Sequence, residues 1–300
     1  MLGPAPRTVG LRKAIAHPDE AEVRRIVEQL TKKVRVAMQF AIDSAVSAND
    51  EGRLVDVMGR KLTAVDTVTS KVDLADFEKN LDAIKAISGD GFESAGRSAL
   101  RGIAEDIRLY GPLGERAENY LRTKAADFVV NVTAQTRAAV RSSLVHSFER
   151  GLPPRTAAER LRTVIGLNER QAVAVQRFRE KMIAEGLPQP VIDRRVNRYV
   201  QQKIKERSEN IARTELHTAV SAGRQAGWEV AVREEVIQAT RFEKKWLTSE
   251  DERVCSICQP MNGQQRAIDT PFDTGDGRQV ETPGGPTHPS CRCTVVLEKI

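Results

Sequence analysis

Apolar residues recur every three or four positions along most of this chain, and every second position only near its end. In DEAEVRRIVEQLTKKVRVAMQFAIDSAVSAN, Val23, Ile26, Leu30, Val34, Met38 and Ile42 fall on one face and charged residues on the other. That pattern predicts a long amphipathic helix. No proline occurs between Pro18 and Pro112, so more helices are expected, broken by glycine. SGDGFESAG and YGPLG read as loops. A second helical stretch is expected from about Glu118 to Gly151. Thr156 and Glu159 offer a capping box to a short helix after it. Asn168 is the expected N-cap of the next helix, which Gly186 closes. A helix following Gln189 would bury Ile192, Val196, Tyr199 and Val200. Another, beginning at SENIARTELHTAV, carries the stripe Ala212, Leu216, Val220, Gly223, Gly227, Val230. Two glycines on an apolar face predict close approach by a neighbouring helix.

The period changes after about Val236. ATRFEKKWLTS alternates at Thr240, Phe242, Lys244 and Trp246 and reads as a strand, as does RCTVVLEKI at the end. DTGDGRQVETPGGPTHP between them is turn chemistry almost throughout. The expected fold is mainly α: multi-helix N-terminal (1–125) and central (126–235) regions, then a small zinc-stapled α+β module (236–300). No internal repeat is evident.

Composition refines this picture. Aromatic residues make up only 4% of the chain, which favours helix packing through small side chains. The net charge of +6 points to anionic partners. MLGPAPRTVGLRK lacks the apolar core of a secretory signal, and no run of 18 apolar residues occurs. The expectation is a protein that stays in the cytoplasm where it is made, with no membrane partner. Thiols there stay reduced, so clustered cysteines indicate metal or redox chemistry before disulfides.

All four cysteines lie in DERVCSICQPMNG and GGPTHPSCRCTVV. A Gly/Pro-rich module of this size cannot easily hold itself together on its own core, and a zinc ion supplies what the core lacks. Cys255 and Cys258 form a C-x2-C pair, and His288 with Cys291 repeats the x2 spacing, giving four ligands from two matched turns. Cys293 is an alternative ligand, able to replace His288 or Cys291. Disulfides would use the same cysteines, but the compartment argues against them. A catalytic zinc needs an open position, whereas the donors here exceed four.

Several segments resemble a known family. FVVNVTAQTRAAVRSSLVHSFERGLPPRTAAERLRTVIGLNERQA is followed by NIARTELHTAVSAGR, with Ala212-Arg213-Thr214-Glu215. Then KKWLTSEDERVCSICQPMNGQ supplies Trp246, Asp251, Cys255, Cys258 and Gly263, and HPSCRCTVVLE supplies His288, Pro289, Cys291, Arg292 and Cys293. In this order, over about residues 126–300, they resemble the Mu F-like minor head proteins of the tailed-bacteriophage head-morphogenesis family. The segment REKMIAEGLPQPVIDRRVNRYVQQKIKER departs from that pattern and reads as an inserted helical hairpin. The resemblance implies a non-enzymatic structural protein of the virion, made in the host bacterial cytoplasm and placed in the capsid interior near the portal. Its implied partners are the portal protein, a scaffold or the major capsid protein. Arg213, Thr214 and Glu215 are expected to tie their helix to the zinc module by polar contact. His217 and His146 read as ordinary polar residues on helices.

Between Leu152 and Arg213 the chain carries 14 Lys/Arg against 7 Asp/Glu. Arg194, Arg198 and Lys205 fall near one helix face with Arg195 beside them, a candidate contact for duplex DNA without sequence preference. Two other readings remain at this stage. One is a metal-dependent nuclease, for which His288 would be the only histidine near the metal. The other is a zinc-ribbon DNA-binding regulator, for which the long helical half is superfluous.

Overall fold

The computed structural model describes residues 18–60, 65–101, 103, 110–249 and 254–300. The first helix, α1 (Pro18–Ala48), has the expected stripe, with Val23, Ile26, Val34, Met38 and Ile42 buried and Leu30 partly so. Short helices α2 (Glu51–Arg60) and α3 (Val65–Lys71) lead into α4 (Ala75–Arg101).

The expected loop SGDGFESAG is the interior of α4, and the reason is a helix contact. The later helix α8 (Gln189–Arg233) crosses α4 where both present glycine. A Cβ on Gly96 would lie 2.9 Å from the Gly223 carbonyl oxygen, and one on Gly227 would lie 2.8 Å from the Gly96 carbonyl oxygen. A Cβ on Gly223 would fall onto the Phe92 carbonyl. These glycines serve close backbone approach, and each costs its helix about 0.5–1 kcal/mol against alanine. The expectation of a close neighbour at Gly223 and Gly227 is met.

The other expected loop, YGPLG, is the first turn of α5 (Tyr110–Glu149). Pro112 is tolerated there because first-turn N–H groups have no helical acceptor. The helix continues unbroken through residue 125. The Thr156–Glu159 box does not form: α6 (Pro154–Val164) opens on Pro153 and Pro154 with no side-chain cap. Proline at the first position presets φ for the helix instead. At α7 (Glu169–Ala184) the Asn168 cap is present, completed by Gln171, and Gly186 follows the helix with φ +72°.

With α7, α8 forms the expected hairpin, but it joins two expected helices into one of 45 residues, about 68 Å at 1.5 Å per residue. Arg207 occupies the junction, buried. Its guanidinium donates to Thr136 Oγ1 (3.1 Å), Gly166 O (2.6 Å), Val132 O (3.2 Å) and Gln135 Oε1 (3.2 Å). Burial lowers its pKa to about 10, so it stays charged. A polar residue inside a continuous helix is thus accounted for by carbonyls of α5 and of the α6–α7 turn.

One apolar core runs from Val34 of α1 to Leu216 of α8. A second lies under the C-terminal module, where Trp246, Met261, Ile268 and Phe272 pack with Trp228 of α8 and Ala99 of α4. The module's core is therefore completed by the helices. Its strands are β1 (Phe242–Leu247), β2 (Gln265–Arg266), β3 (Phe272–Asp273), β4 (Gln279–Val280) and β5 (Thr294–Lys299). A 3-10 turn over Ala239–Arg241 takes Thr240 out of the expected strand. The antiparallel sheet has the order β2–β1–β5, with Trp246 opposite Val295. The β3–β4 ribbon interrupts the segment expected to be all turn. Lys244 points inward beside Trp246, its amine donating to Gln225 Oε1 of α8 at 3.4 Å and lying over the Phe272 ring.

Glu215 faces the helical side of α8. Burial pushes its carboxyl up to about 7, and the Tyr120 phenol is pushed up by burial and by this carboxylate. The folded protein therefore binds a proton that the unfolded chain releases near the ordinary glutamate value of 4.5. That stabilisation is complete below the unfolded value and is lost as pH rises through the folded one. Unfolding in urea should show stability falling by up to about 3 kcal/mol across that window. Glu215→Gln should flatten the slope and exceed wild type at about pH 8. Parallel pH profiles for the two proteins would refute the assignment.

At the α4–α8 contact, Gly223→Ala should cost about 3 kcal/mol or more, since the obstacle is backbone. Gly114→Ala, which meets no atom within 4 Å, should gain about 0.5–1 kcal/mol. Equal urea midpoints for the two variants would contradict the close-contact account.

Candidate metal centre

The C-x2-C turn follows β1. The Cys258 amide donates to Cys255 O (3.2 Å) and Sγ (3.3 Å), and the Gln259 amide donates to Cys255 O (3.0 Å). These bonds hold both thiols on one side of a tight turn. Gly263, at φ +79°, ends it by donating to Trp246 O at 2.8 Å, which returns the chain to β1. Trp246 is fully buried beneath, its ring edge-on to Phe272 with centroids 5.2 Å apart. Asp251 lies outside the described residues.

The second ligand turn comes from the segment before β5. The His288 amide donates to Gly284 O at 3.0 Å. Its ring Nδ1 lies 2.9 Å from Pro289 O. A carbonyl only accepts, so Nδ1 carries a proton and the Nε2 lone pair is left for a metal or a thiol. Nε2 sits 3.1 Å from both Cys255 Sγ and Cys258 Sγ. Cys258 Sγ is 3.9 Å from Cys291 Sγ, far beyond a disulfide bond, and all four cysteines are free. With Zn–S near 2.3 Å, two sulfurs of a tetrahedral site stand about 3.8 Å apart, so that spacing suits a shared zinc.

Two overlapping groups could hold a metal ion: Cys255, Cys258 and His288, and Cys258, Cys291 and Cys293. Cys258 belongs to both. The structure thus brings together every candidate ligand read from the sequence, including Cys293. Cys291 and Cys293 push the Cys258 thiol well up, and its bond from Cys258 pushes Cys291 down. A dication would favour thiolate at each position. The donor set fits zinc.

Helix α8 supplies further partners of the module, of which the sequence marked Thr214 but not His217 or Thr218. His217 Nε2 donates to Cys293 O at 2.7 Å, and the imidazole lies beside the Cys291 thiol. Expected to be an ordinary polar residue on a helix, it lies buried beside the centre. Thr214 Oγ1 accepts from Ser290 N at 3.0 Å, and Thr218 Oγ1 accepts from Gly285 N at 2.7 Å. Further along the helix, the Gln225 amide donates to Ile268 O at 2.6 Å. Of the signature triplet, only Thr214 makes the expected bond to the module among the described residues. Arg213 is exposed in a cleft of about 850 Å³ between α1 and α8, which His217, Cys291 and Arg292 also line. Glu215 points the other way, toward Tyr120. His146 pairs with Glu180 at 3.0 Å, away from the centre.

Arg194, Arg195, Arg198 and Lys205 are also remote from the thiols, all exposed on the N-terminal half of α8. Neighbouring cations are paired, Arg179 with Asp193 at 2.8 Å and Lys203 with Glu206 at 2.7 Å. No helix among the described residues is long and apolar enough to cross a membrane.

No curated protein and no solved structure matches the chain significantly. The family described as Phage Mu protein F like protein matches residues 138–296, more than half of the chain. That span runs from late α5 through the whole Cys/His centre into β5. The chain therefore belongs to the Phage Mu protein F like family, a family of phage head proteins.

Proposed function

We propose that this chain is a minor structural protein of the capsid interior, placed near the portal, whose C-terminal module is stapled by one zinc ion. The observation that carries the reading is the convergence of five thiol and imidazole donors inside the family-matched span. Cys255, Cys258, His288 and Cys291 are the proposed ligands, with Cys293 beside them as the alternative. Bound zinc would act as a cross-link, turning binding energy into folding energy for a segment with only two-residue strands between β1 and β5. A filled four-ligand shell has no position for substrate or water, which favours a structural over a hydrolytic role. Portal, scaffold or major capsid protein are the partners this reading names.

The exposed cations of α8 extend it. Arg194, Arg198 and Lys205 lie within about 40° of one another around the helix. Their side chains take no ion pair among the described residues. Such a row suits an anionic surface, packaged duplex DNA first.

Protein purified without added metal should carry about one equivalent of zinc by elemental analysis. Cys255→Ser should lose it and expose the tail to protease, whereas Cys293→Ser should keep it. Metal-free protein with an equally protease-resistant tail would refute the staple. For the basic row, changing Arg194, Arg198 and Lys205 together to Glu should weaken duplex binding and shrink its salt dependence by about three counterions' worth of slope. Zinc content and helicity should not change. Unaltered DNA binding with loss of head assembly would make the row a protein contact instead.

A further inference from the structure

We propose that α8 is the outer shell of the Cys/His centre, with Thr214 and Thr218 as positioning residues that set how tightly the metal is held. This rests on the reading that the centre binds zinc. His288 and Cys291 lie on residues 284–291, a segment with no strand of its own. It is clamped to α8 at both ends.

At the start, Gly284 adopts φ +119° and runs its backbone against Thr218, where a Cβ would come within 2.7 Å of Oγ1. The next amide, Gly285 N–H, donates to that hydroxyl at 2.7 Å. The Thr218 hydroxyl donates its own proton to Thr214 O at 2.7 Å, so its oxygen faces the loop as an acceptor. At the other end, Ser290 sits at φ 58°, in the left-handed region that a non-glycine residue enters only when its surroundings demand it. Its amide donates to Thr214 Oγ1 at 3.0 Å. That turn lies between His288 and Cys291, and it decides whether imidazole and thiol aim at the same point.

Thr214 and Thr218 stand one helical turn apart, on a helix that α4 holds by backbone contact at Gly223 and Gly227. They therefore give the loop two fixed anchors, one on either side of His288. Without either hydroxyl a loop amide loses its acceptor, and the ligand turn can relax away from the metal. Groups of this outer kind typically carry about 10- to 100-fold in metal affinity.

The test uses full-length, zinc-loaded protein and a chromogenic chelator to follow metal release. Thr214→Val should release zinc about 10- to 100-fold faster than wild type. Thr214→Ser, which keeps the hydroxyl, should release it at the wild-type rate. Thr218→Val should accelerate release as well, and provides a second reading should Thr214→Val fold poorly by circular dichroism. The visible spectrum of cobalt-substituted Thr214→Val should match wild type, showing the same ligands held less firmly. Wild-type release from both valine variants would overturn the proposal, and so would equal acceleration by serine and valine at 214. Wild-type protein that binds no zinc at all would instead overturn the metal reading on which this one stands.

Discussion

Backbone-to-backbone contact between α4 and α8 is the constraint on which the remaining architecture rests. Gly96, Gly223 and Gly227 leave no room for a side chain between the helices, so α8 lies in direct backbone contact with α4. Everything downstream uses that fixed position. The core of the C-terminal module is closed by Trp228 of α8 and Ala99 of α4. Gln225, Thr218, His217 and Thr214, along the same helix, each bond a different stretch of the module. A segment with few residues in strands is thereby held against a rigid rod rather than against itself.

The same rod links the family-matched span to the residues before it. Helices α1 and α4, outside that span, pack on α8, and Asp19 pairs with Arg224 at 2.6 Å. The apolar core draws on α1 through α8 without interruption, and α5 crosses residue 125 as a continuous helix. Loads placed on the module would be transmitted into this core through α8. That is a suitable property for a small structural component of a phage head.

Much of this was legible in the sequence, and what was not has identifiable causes. The α1 stripe, the Asn168 cap and the close approach at Gly223 and Gly227 follow from local rules, and the structure obeys them. Ser88–Gly96 misleads because glycine signals a turn and a tight helix contact equally well, and only the partner helix distinguishes them. The continuity of α8 is hidden by Arg207, a charged residue whose acceptors lie on α5 and before α7. The candidate metal ligands are visible because their spacing is local. Thr218 and His217 are not, because their partners are backbone groups 67 and 76 residues away. A backbone acceptor or donor leaves no mark on side-chain identity. Nothing in the residue types at 285, 290 or 293 announces the pairing.

The central claim is that a mixed thiolate–imidazole zinc site staples the module that α8 anchors. X-ray absorption at the zinc edge of the purified protein tests it most directly. The account predicts a four-coordinate shell of three sulfurs near 2.3 Å and one nitrogen near 2.0 Å. An all-sulfur shell, which would put Cys293 in place of His288, or the absence of zinc would contradict it.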